Sequence, residues 1–278
     1  MIRAFKLEWL KIKHYRVFWV LFGLYLITQF IITNGGVFVL EWLESKGAEF
    51  EGIKPSIIPI YDFPDIWLNS VWLASFPKIL VSFIVVVSVN NELTYNTLRQ
   101  NIIDGISKKE FLLSKFSLIL FLAGVCTLFL FITGLITGLV YSHVTDLRFI
   151  FSEMDYLLSY FLQLVAFCLF AFCMALVIKK AGFAIVGIII YSIFQLMFTS
   201  FLEFSNYTKD SIGKFVKFFP LYSTEKLTGK IYESPFIRYV MQEIKTDLFW
   251  YEWLIVLCWI ALYCGFIIYL LNKKDLKA

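Results

Sequence analysis

Long apolar runs constrain this chain more than any other feature of its sequence. A helix of roughly 20 apolar residues, rising 1.5 Å per residue, is long enough to cross about 30 Å of hydrocarbon. Hydrophobic residues make up 60% of the 278 positions, above the roughly 45–50% of soluble domains. We therefore predict one transmembrane domain over residues 1–278, an all-α, polytopic integral membrane protein with six transmembrane helices at 17–40, 66–89, 116–141, 156–178, 181–202 and 253–271.

The first 16 residues have the pattern of an amphipathic helix. Apolar side chains recur at three- and four-residue steps, while basic side chains fall largely on the other side, which is typical of a helix lying in the headgroup layer. An alternative is that this segment is only a basic flank of the first span. The apolar positions are Ile2, Phe5, Trp9 and Ile12, and the basic ones are Arg3, Lys6, Lys13 and Arg16.

Basic residues predict the orientation. Placing the N-terminus in the cytoplasm makes every short inner segment basic, including the basic pairs Lys108-Lys109, Lys179-Lys180 and Lys273-Lys274, while the first two outer loops are mainly acidic. Cytoplasmic loops carry this excess of Lys and Arg. Six spans also return the C-terminus to the inner side. We expect a multi-pass protein of the cell (inner or plasma) membrane with both termini cytoplasmic and with membrane lipids as neighbours.

The segment 203–252, between the fifth and sixth predicted spans, is long and only partly polar. Apolar residues cluster at 212–219 before Pro220, and others recur at helical steps over 236–244. This pattern indicates short extracellular helices, either re-entrant or amphipathic, on the outer membrane surface.

A search for catalytic chemistry returns mostly negatives. No phosphate-binding G-x-x-x-x-G-K-[ST] loop and no H-E-x-x-H motif occurs, and the two histidines, His14 and His143, are predicted on opposite sides. We expect no catalytic residues, no metal site, no nucleic-acid partner and no enzymatic activity in this chain. A membrane enzyme acting on lipids would need a cluster of His, Asp or Ser at one membrane face, which the sequence lacks.

Lys78, beside Pro77, is the only clear charge inside a predicted span. Charged side chains within membranes often mark a translocation path, but a long lysine also extends to the interface. The sequence leaves both alternatives open. The absence of carboxylates from the spans argues against an ion-coupled transporter and indicates that energy comes from another protein.

The main polar interval on the predicted inner side is residues 90–115. It combines a carboxylate, a Thr-x-Arg, a Gly-x-Ser that can interrupt a helix, and basic residues leading into the third span. Such a segment suits docking of a soluble partner, although a merely solvated loop is an alternative. The candidate docking residues are Glu92, Thr97, Arg99, Gly105, Ser107 and Lys108.

The order of these residues, followed by Lys115, resembles the first cytoplasmic loop of the permeases of type-2 ABC exporters (the ABC-2 type transporter permease family). The loop pattern there is approximately E-x-x-x-G-T-x-[KR], then a helix, a turn with Gly or Pro and Ser, and a basic residue. Asn96 stands where the pattern has Gly; Asn tolerates left-handed backbone conformations better than most residues. The six spans, the amphipathic N-terminus and the outer helices are similar to that family as well.

This resemblance implies a function. The loop would form a coupling helix in a cleft of a separate ABC ATPase subunit, two permease copies would pair as a homodimer or with a similar permease, and ATP and Mg would bind the ATPase subunit, with no cofactor on this chain. The expected function is export of an amphipathic, lipid-like or peptide substrate. The alternative is a non-transporting membrane assembly or immunity factor that docks a cytoplasmic partner.

Overall fold

A computed structural model describes residues 2–47, 60–95, 100, 103, 107–144, 146–204, 218–228 and 249–273. In these residues all regular secondary structure is α-helical, which confirms the predicted fold class. The helices are α1 (Ile2–Ile12), α2 (Arg16–Ser45), α3 (Ile66–Ala74), α4 (Lys78–Thr94), α5 (Lys108–Tyr141), α6 (Leu147–Ile150), α7 (Asp155–Ile178), α8 (Ala181–Phe204), α9 (Pro220–Lys226) and α10 (Trp250–Lys273).

Five stretches of helix, α2, α5, α6 with α7, α8 and α10, are long and apolar enough to cross a membrane. The pair α3 and α4 meets the same criterion together but is bent by 44°. The described part of the chain therefore has five membrane-spanning candidates, or six when the bent pair counts as one span. The six spans predicted from sequence correspond to these helices.

The bend falls where the second span is interrupted before Pro77. Proline has no N–H to donate within a helix, so the Leu73 carbonyl, four residues before Pro77, loses its usual partner and accepts from the Phe76 N–H at 3.3 Å instead. At the same interruption the Tyr160 hydroxyl of α7 donates to the Ala74 carbonyl at 3.2 Å, and the Tyr25 hydroxyl of α2 lies 2.6 Å from that of Tyr160. The two tyrosines are fully buried, so they satisfy a polar group that lipid could not.

Helix α7 is the centre of the bundle. Most of its side chains are buried, among them Tyr160, Gln163 and Phe172, and it packs against α4, α5, α8 and α10. In contrast, α2, α8 and α10 leave large apolar side chains exposed, such as Phe38, Phe194 and Leu262. Exposed apolar surface on this scale is what a helix bundle in contact with lipid requires.

The bundle has two ends, each fixed by a hydrogen bond between distant helices. At the first, called the α1 end, Lys108 donates to the Leu271 carbonyl at 2.8 Å, joining the start of α5 to the end of α10. At the opposite one, called the α9 end, Trp67 donates to the Ile150 carbonyl at 2.8 Å. Of the sequence clusters predicted as outer helices, 212–219 and 236–244, residues 212–217 and the whole of 236–244 lie outside the described residues, while Pro220–Lys226 forms α9.

Gly138 of α5 permits a close approach at the α9 end. A Cβ added there would overlap the ring of Phe63, which is only 3% exposed and has little room to move. We expect Gly138→Ala to lower the free energy of unfolding by about 1–3 kcal/mol, as overpacking typically does, measured as thermal unfolding of the purified chain in detergent.

The matched control is Gly124→Ala on the same helix, where an added Cβ meets nothing within 4 Å. That control gains helix propensity of up to about 1 kcal/mol, so its stability should stay level or rise. Equal melting of the two variants would contradict the close contact between Gly138 and Phe63.

Candidate functional site

Three helices meet around a buried lysine at the α1 end. Lys115 of α5 places its ammonium group 2.5 Å from Glu8 Oε1 of α1, 2.6 Å from Glu92 Oε1 of α4, and 2.7 Å from Ser88 Oγ of α4. A lysine has three N–H donors, and here each has an acceptor. We call Glu8, Ser88, Glu92 and Lys115 the ionic cluster.

The ionic cluster is withdrawn from solvent. The side chains of Glu8 and Lys115 are each 1% exposed and that of Glu92 is 7% exposed. Lys11 of α1 adds a second cation, 3.3 Å from Glu92 Oε1, so two carboxylates face two ammonium groups and the charges balance. Burying unbalanced charge would cost several kcal/mol per ion, which explains why these four charges lie together.

Local helix geometry brings the members of the ionic cluster together. Ser88 and Glu92 are four residues apart on α4 and therefore share one face of that helix. The Ser88 hydroxyl donates to Glu8 Oε1 at 2.8 Å and accepts from the Lys115 ammonium group, so it links α4 to both α1 and α5. Lys115 also lies 5.6 Å from the centre of the Phe111 ring one turn earlier, a cation–π contact that favours a desolvated ammonium group.

The Glu8 carboxylate is held in its charged form. Burial acts to raise its pKa, but the charge of Lys115 and the hydrogen bonds from Lys115 and Ser88 outweigh burial, so the pKa lies below the ordinary value of 4.5. The carboxylate is therefore ionised at neutral pH and available to both donors.

The lowered pKa of Glu8 predicts a pH dependence of stability. A carboxylate whose pKa is lower in the folded state adds stability above the pKa of the unfolded chain, and this contribution is lost as the pH falls through the folded-state pKa. We expect the unfolding temperature in detergent to vary little between neutral pH and about 5 and to fall below pH 4.5.

Glu8→Gln should weaken that acid-induced decline, because the substituted side chain no longer titrates. Glu41→Gln, which changes an exposed carboxylate of α2, is the control and should leave the profile as in the wild type. Superimposable acid profiles for the wild type and Glu8→Gln would show that this carboxylate does not set the dependence.

The predicted docking residues are only partly within the described chain. Thr97, Arg99 and Gly105 lie outside the described residues. Ser107 is the exposed N-cap of α5 and forms a capping box with Glu110, in which each side chain bonds to the other's backbone N–H. Lys108, the first residue of α5, is bound to the end of α10 by the hydrogen bond given above.

Glu92 differs from its expected placement at the rim of a docking surface. Its carboxylate points inward to Lys115, because a buried ammonium group needs a compensating charge. Any effect of Glu92 on a partner is therefore exerted through α4 and the ionic cluster, not through an exposed charge. The docking role of the loop stays a prediction.

Sequence reasoning assigned no site role to Glu8 or Lys115, although a signal for both was present. Glu8 follows Phe5 by three residues and precedes Ile12 by four, so it is an acidic residue on the apolar stripe of α1. Lys115 likewise follows Phe111 by four residues at the start of an apolar helix. Opposite charges on the buried faces of two neighbouring helices indicate a buried pair.

Lys78, the one charge found within a predicted span, lies in a second cluster at the bend. Its side chain is buried and lies 3.4 Å from Glu225 of α9 and 5.3 Å from the centre of the Phe167 ring of α7. The position at the first turn of α4 puts this lysine beside the break in the second span. The buried Lys78 ammonium group thus attracts the Glu225 carboxylate and holds α9 against the bundle.

Two glutamines of the spans also hold the region of α9. Gln163 Nε2 of α7 donates to Thr228 Oγ1 at 3.0 Å, and the Gln195 amide oxygen of α8 accepts from the backbone N–H of Leu221 at 3.3 Å. Lys226 forms an ion pair with Glu252 at the start of α10. Polar side chains buried in the spans therefore fasten α9 across α4, α7, α8 and α10.

Metal chemistry finds no support in the part of the chain that the structure describes. No group of three or more His, Cys, Asp or Glu side chains there is arranged to hold a metal ion. The five cysteines are free thiols within apolar helices. The buried charges instead join helices to one another.

The apolar spans define a multi-pass membrane protein, and comparison with known families identifies its class. Residues 4–197 match the model of the ABC-2 family transporter protein. The chain belongs to this family of transporter membrane subunits, which lack the ATPase domain and work with an ABC ATPase. A search of curated proteins gives no match.

Proposed function

We propose that the chain is the permease subunit of an ATP-driven exporter that moves an amphipathic, lipid-like or peptide substrate. ATP and Mg bind to the separate ATPase subunit, and this subunit docks on the segment 90–115. Two permease copies form the translocation unit. Both termini are cytoplasmic, so the α1 end faces the ATPase and the α9 end faces outward.

The ionic cluster is the observation that carries this proposal. The segment between α4 and α5 is bounded by Glu92 on one side and Lys115 on the other, and these two residues bond to each other across 2.6 Å. Because Lys115 also binds Glu8, a displacement of the segment moves α4, α5 and α1 together. A docked ATPase would therefore act on three helices through one contact set.

The distribution of basic residues supports the orientation. The α1 end contains Lys11 and Lys108, and the pair Lys179-Lys180 that joins α7 to α8 belongs to the same end, since Phe111 near the start of α5 contacts Phe172 near the end of α7 with ring centres 6.4 Å apart. An end enriched in Lys and Arg is the one retained in the cytoplasm.

The positive charge of Lys78 favours a substrate that carries an anionic or zwitterionic group. Lys78 is a buried cation 3.4 Å from the Glu225 carboxylate of α9 and close to the Phe167 ring. A path that opens when α9 moves would expose this cation to the head of an amphipathic substrate. We place Lys78 on the translocation path for that reason.

The test is co-purification of the tagged chain from its native membrane in a gentle detergent, followed by an ATPase assay on the eluate. The wild type should bring down a phosphate-loop ATPase with vanadate-sensitive activity. Arg99→Glu, in the proposed docking segment, should lose at least about tenfold of the bound ATPase, a loss of roughly 1.4 kcal/mol.

The matched control is Arg148→Glu, an exposed arginine of α6 at the α9 end, which should retain the ATPase. Loss of the ATPase from both variants would indicate a general effect of charge reversal and contradict docking at 90–115. An ATPase that binds without any ATP-dependent flux in reconstituted vesicles would favour the alternative, a membrane factor that docks a partner without transporting.

A further inference from the structure

A cavity of about 280 Å³ lies beside the ionic cluster, between α1, the start of α2 and the end of α4. Its volume is near the lower limit of ligand pockets, about 300 Å³, and corresponds to roughly nine water volumes. Its lining residues Tyr15, Val17 and Tyr95 are exposed at the protein surface. The lining residues are Glu8, Lys11, Ile12, Tyr15, Val17, Phe18, Leu21, Ile84, Val87, Ser88, Asn91, Glu92 and Tyr95.

The cavity surface is mostly apolar. Phe18 and Leu21, on the first turns of the membrane-spanning helix α2, line one wall, and Ile84 and Val87 of α4 line another. The smaller polar contribution comes from side chains such as Lys11 and Asn91 and from the ionic cluster. An occupant that satisfies both the apolar and the polar side chains needs an apolar chain joined to a polar head.

The charge around the mouth favours an anionic head. The two carboxylates of Glu8 and Glu92 are already matched by Lys115 and Lys11. Arg16, exposed and placed between the lining residues Tyr15 and Val17, adds positive charge beyond that balance. Lys and Arg side chains near an anionic lipid surface are attracted to it.

We propose that this cavity binds one acyl chain of an anionic phospholipid, whose phosphate lies against Lys11 and Arg16. Because Ser88 and Glu92 form part of the cavity wall and also bind Lys115, the bound lipid supports the ionic cluster from one side. The site is distinct from the proposed substrate path at Lys78 and requires only that the chain lie in a membrane. It makes the permease responsive to the anionic lipid content of its leaflet.

The probe is phosphatidylglycerol, with phosphatidylcholine as the zwitterionic comparison. The full-length chain is reconstituted in nanodiscs with equal amounts of both lipids and extracted into detergent, and the lipid retained per chain is counted by mass spectrometry. We expect about one phosphatidylglycerol per chain to survive washing that removes phosphatidylcholine. Lys11→Gln with Arg16→Gln should lower that selectivity by about tenfold or more.

Leu21→Trp fills the cavity and should abolish the retained phosphatidylglycerol. The matched control is Leu24→Trp on the same helix, where the leucine is 48% exposed and does not line the cavity; it should retain the lipid. Val87→Trp fills the cavity from α4 and should reproduce the loss. Agreement between the two variants would show that the loss does not result from misfolding of one of them. Thermal unfolding of each variant verifies that it is folded.

Three results would overturn the proposal. Retention of phosphatidylglycerol by both cavity-filling variants would show that the lipid binds elsewhere. Equal retention of phosphatidylcholine by the wild type would remove the role of Lys11 and Arg16. A change of oligomeric state in Leu21→Trp with no change in retained lipid would show that a second copy of the chain occupies the cavity. None of these results depends on whether an ATPase co-purifies.

Discussion

Lys115→Met should lower the unfolding temperature of the purified chain by on the order of 10 °C. The substitution removes the ammonium group bound to Glu8 at 2.5 Å and to Glu92 at 2.6 Å, so two carboxylates face only Lys11. Breaking a buried ion pair by removing one partner costs about 3–5 kcal/mol, and each kcal/mol corresponds to about 2–4 °C in a protein of roughly this size. Thermal unfolding in detergent measures the effect.

The matched control for Lys115→Met is Lys109→Met, an exposed lysine on the same helix, whose loss should change the melting temperature little. A triple variant with Lys115→Met, Glu8→Gln and Glu92→Gln removes the stranded charges and should recover a large part of the loss. If Lys115→Met and Lys109→Met have the same unfolding temperature, the ionic cluster does not stabilise the fold. The same conclusion follows if the triple variant is no more stable than Lys115→Met.

Lys78→Glu should release α9 from the bundle. The substitution replaces an attraction across 3.4 Å with two carboxylates facing each other, and it turns the favourable contact with the negative face of the Phe167 ring into an unfavourable one. Ser223 of α9 is 3% exposed, so Ser223→Cys reports detachment through its reaction with a maleimide. We expect the labelling rate to rise by about tenfold, the equivalent of 1.4 kcal/mol.

The labelling experiment uses a background in which the exposed Cys258 and the partly buried Cys264 are replaced by serine. Combining Lys78→Glu with Glu225→Lys restores opposite charges and should return the rate toward that of the parent. Lys46→Glu, an exposed lysine after α2 at the same end, is the charge control. An unchanged rate in Lys78→Glu would mean that the other contacts of α9 hold it without this pair.

The spans could be predicted from sequence because their cause is local. A continuous apolar run of about 20 residues has no other stable place than a bilayer or a large core, and all six predicted spans correspond to helices of the structure. The bend at Pro77 also has a local cause in the missing N–H. The hydrogen bond from Tyr160 to the Ala74 carbonyl and the contact between Tyr25 and Tyr160 have no local cause, because the paired residues are 86 and 135 positions apart.

The ionic cluster shows where sequence reasoning stops. Glu8 and Lys115 are 107 residues apart, and nothing in either local pattern states which carboxylate a buried lysine selects. The same pattern that placed Glu92 at an exposed rim is compatible with a buried position, since charge alone does not fix the direction of a side chain on a helix end. Only packing of α1 against α5 decides it.

The break in the second span has a mechanical consequence. Helix α4 is a continuous rod of 17 residues, and its two ionic contacts, Lys78 and Glu92, are separated along its axis by about 21 Å at 1.5 Å per residue. The bend gives α4 an axis of its own, separate from that of α3, which Trp67 fastens to the rest of the bundle. A tilt of only a few degrees, with the end at Glu92 as fulcrum, displaces Lys78 by about 1–2 Å, enough to separate an ion pair that already stands at 3.4 Å. One uninterrupted helix thus carries both ionic contacts, so a tilt about one contact would change the length of the other.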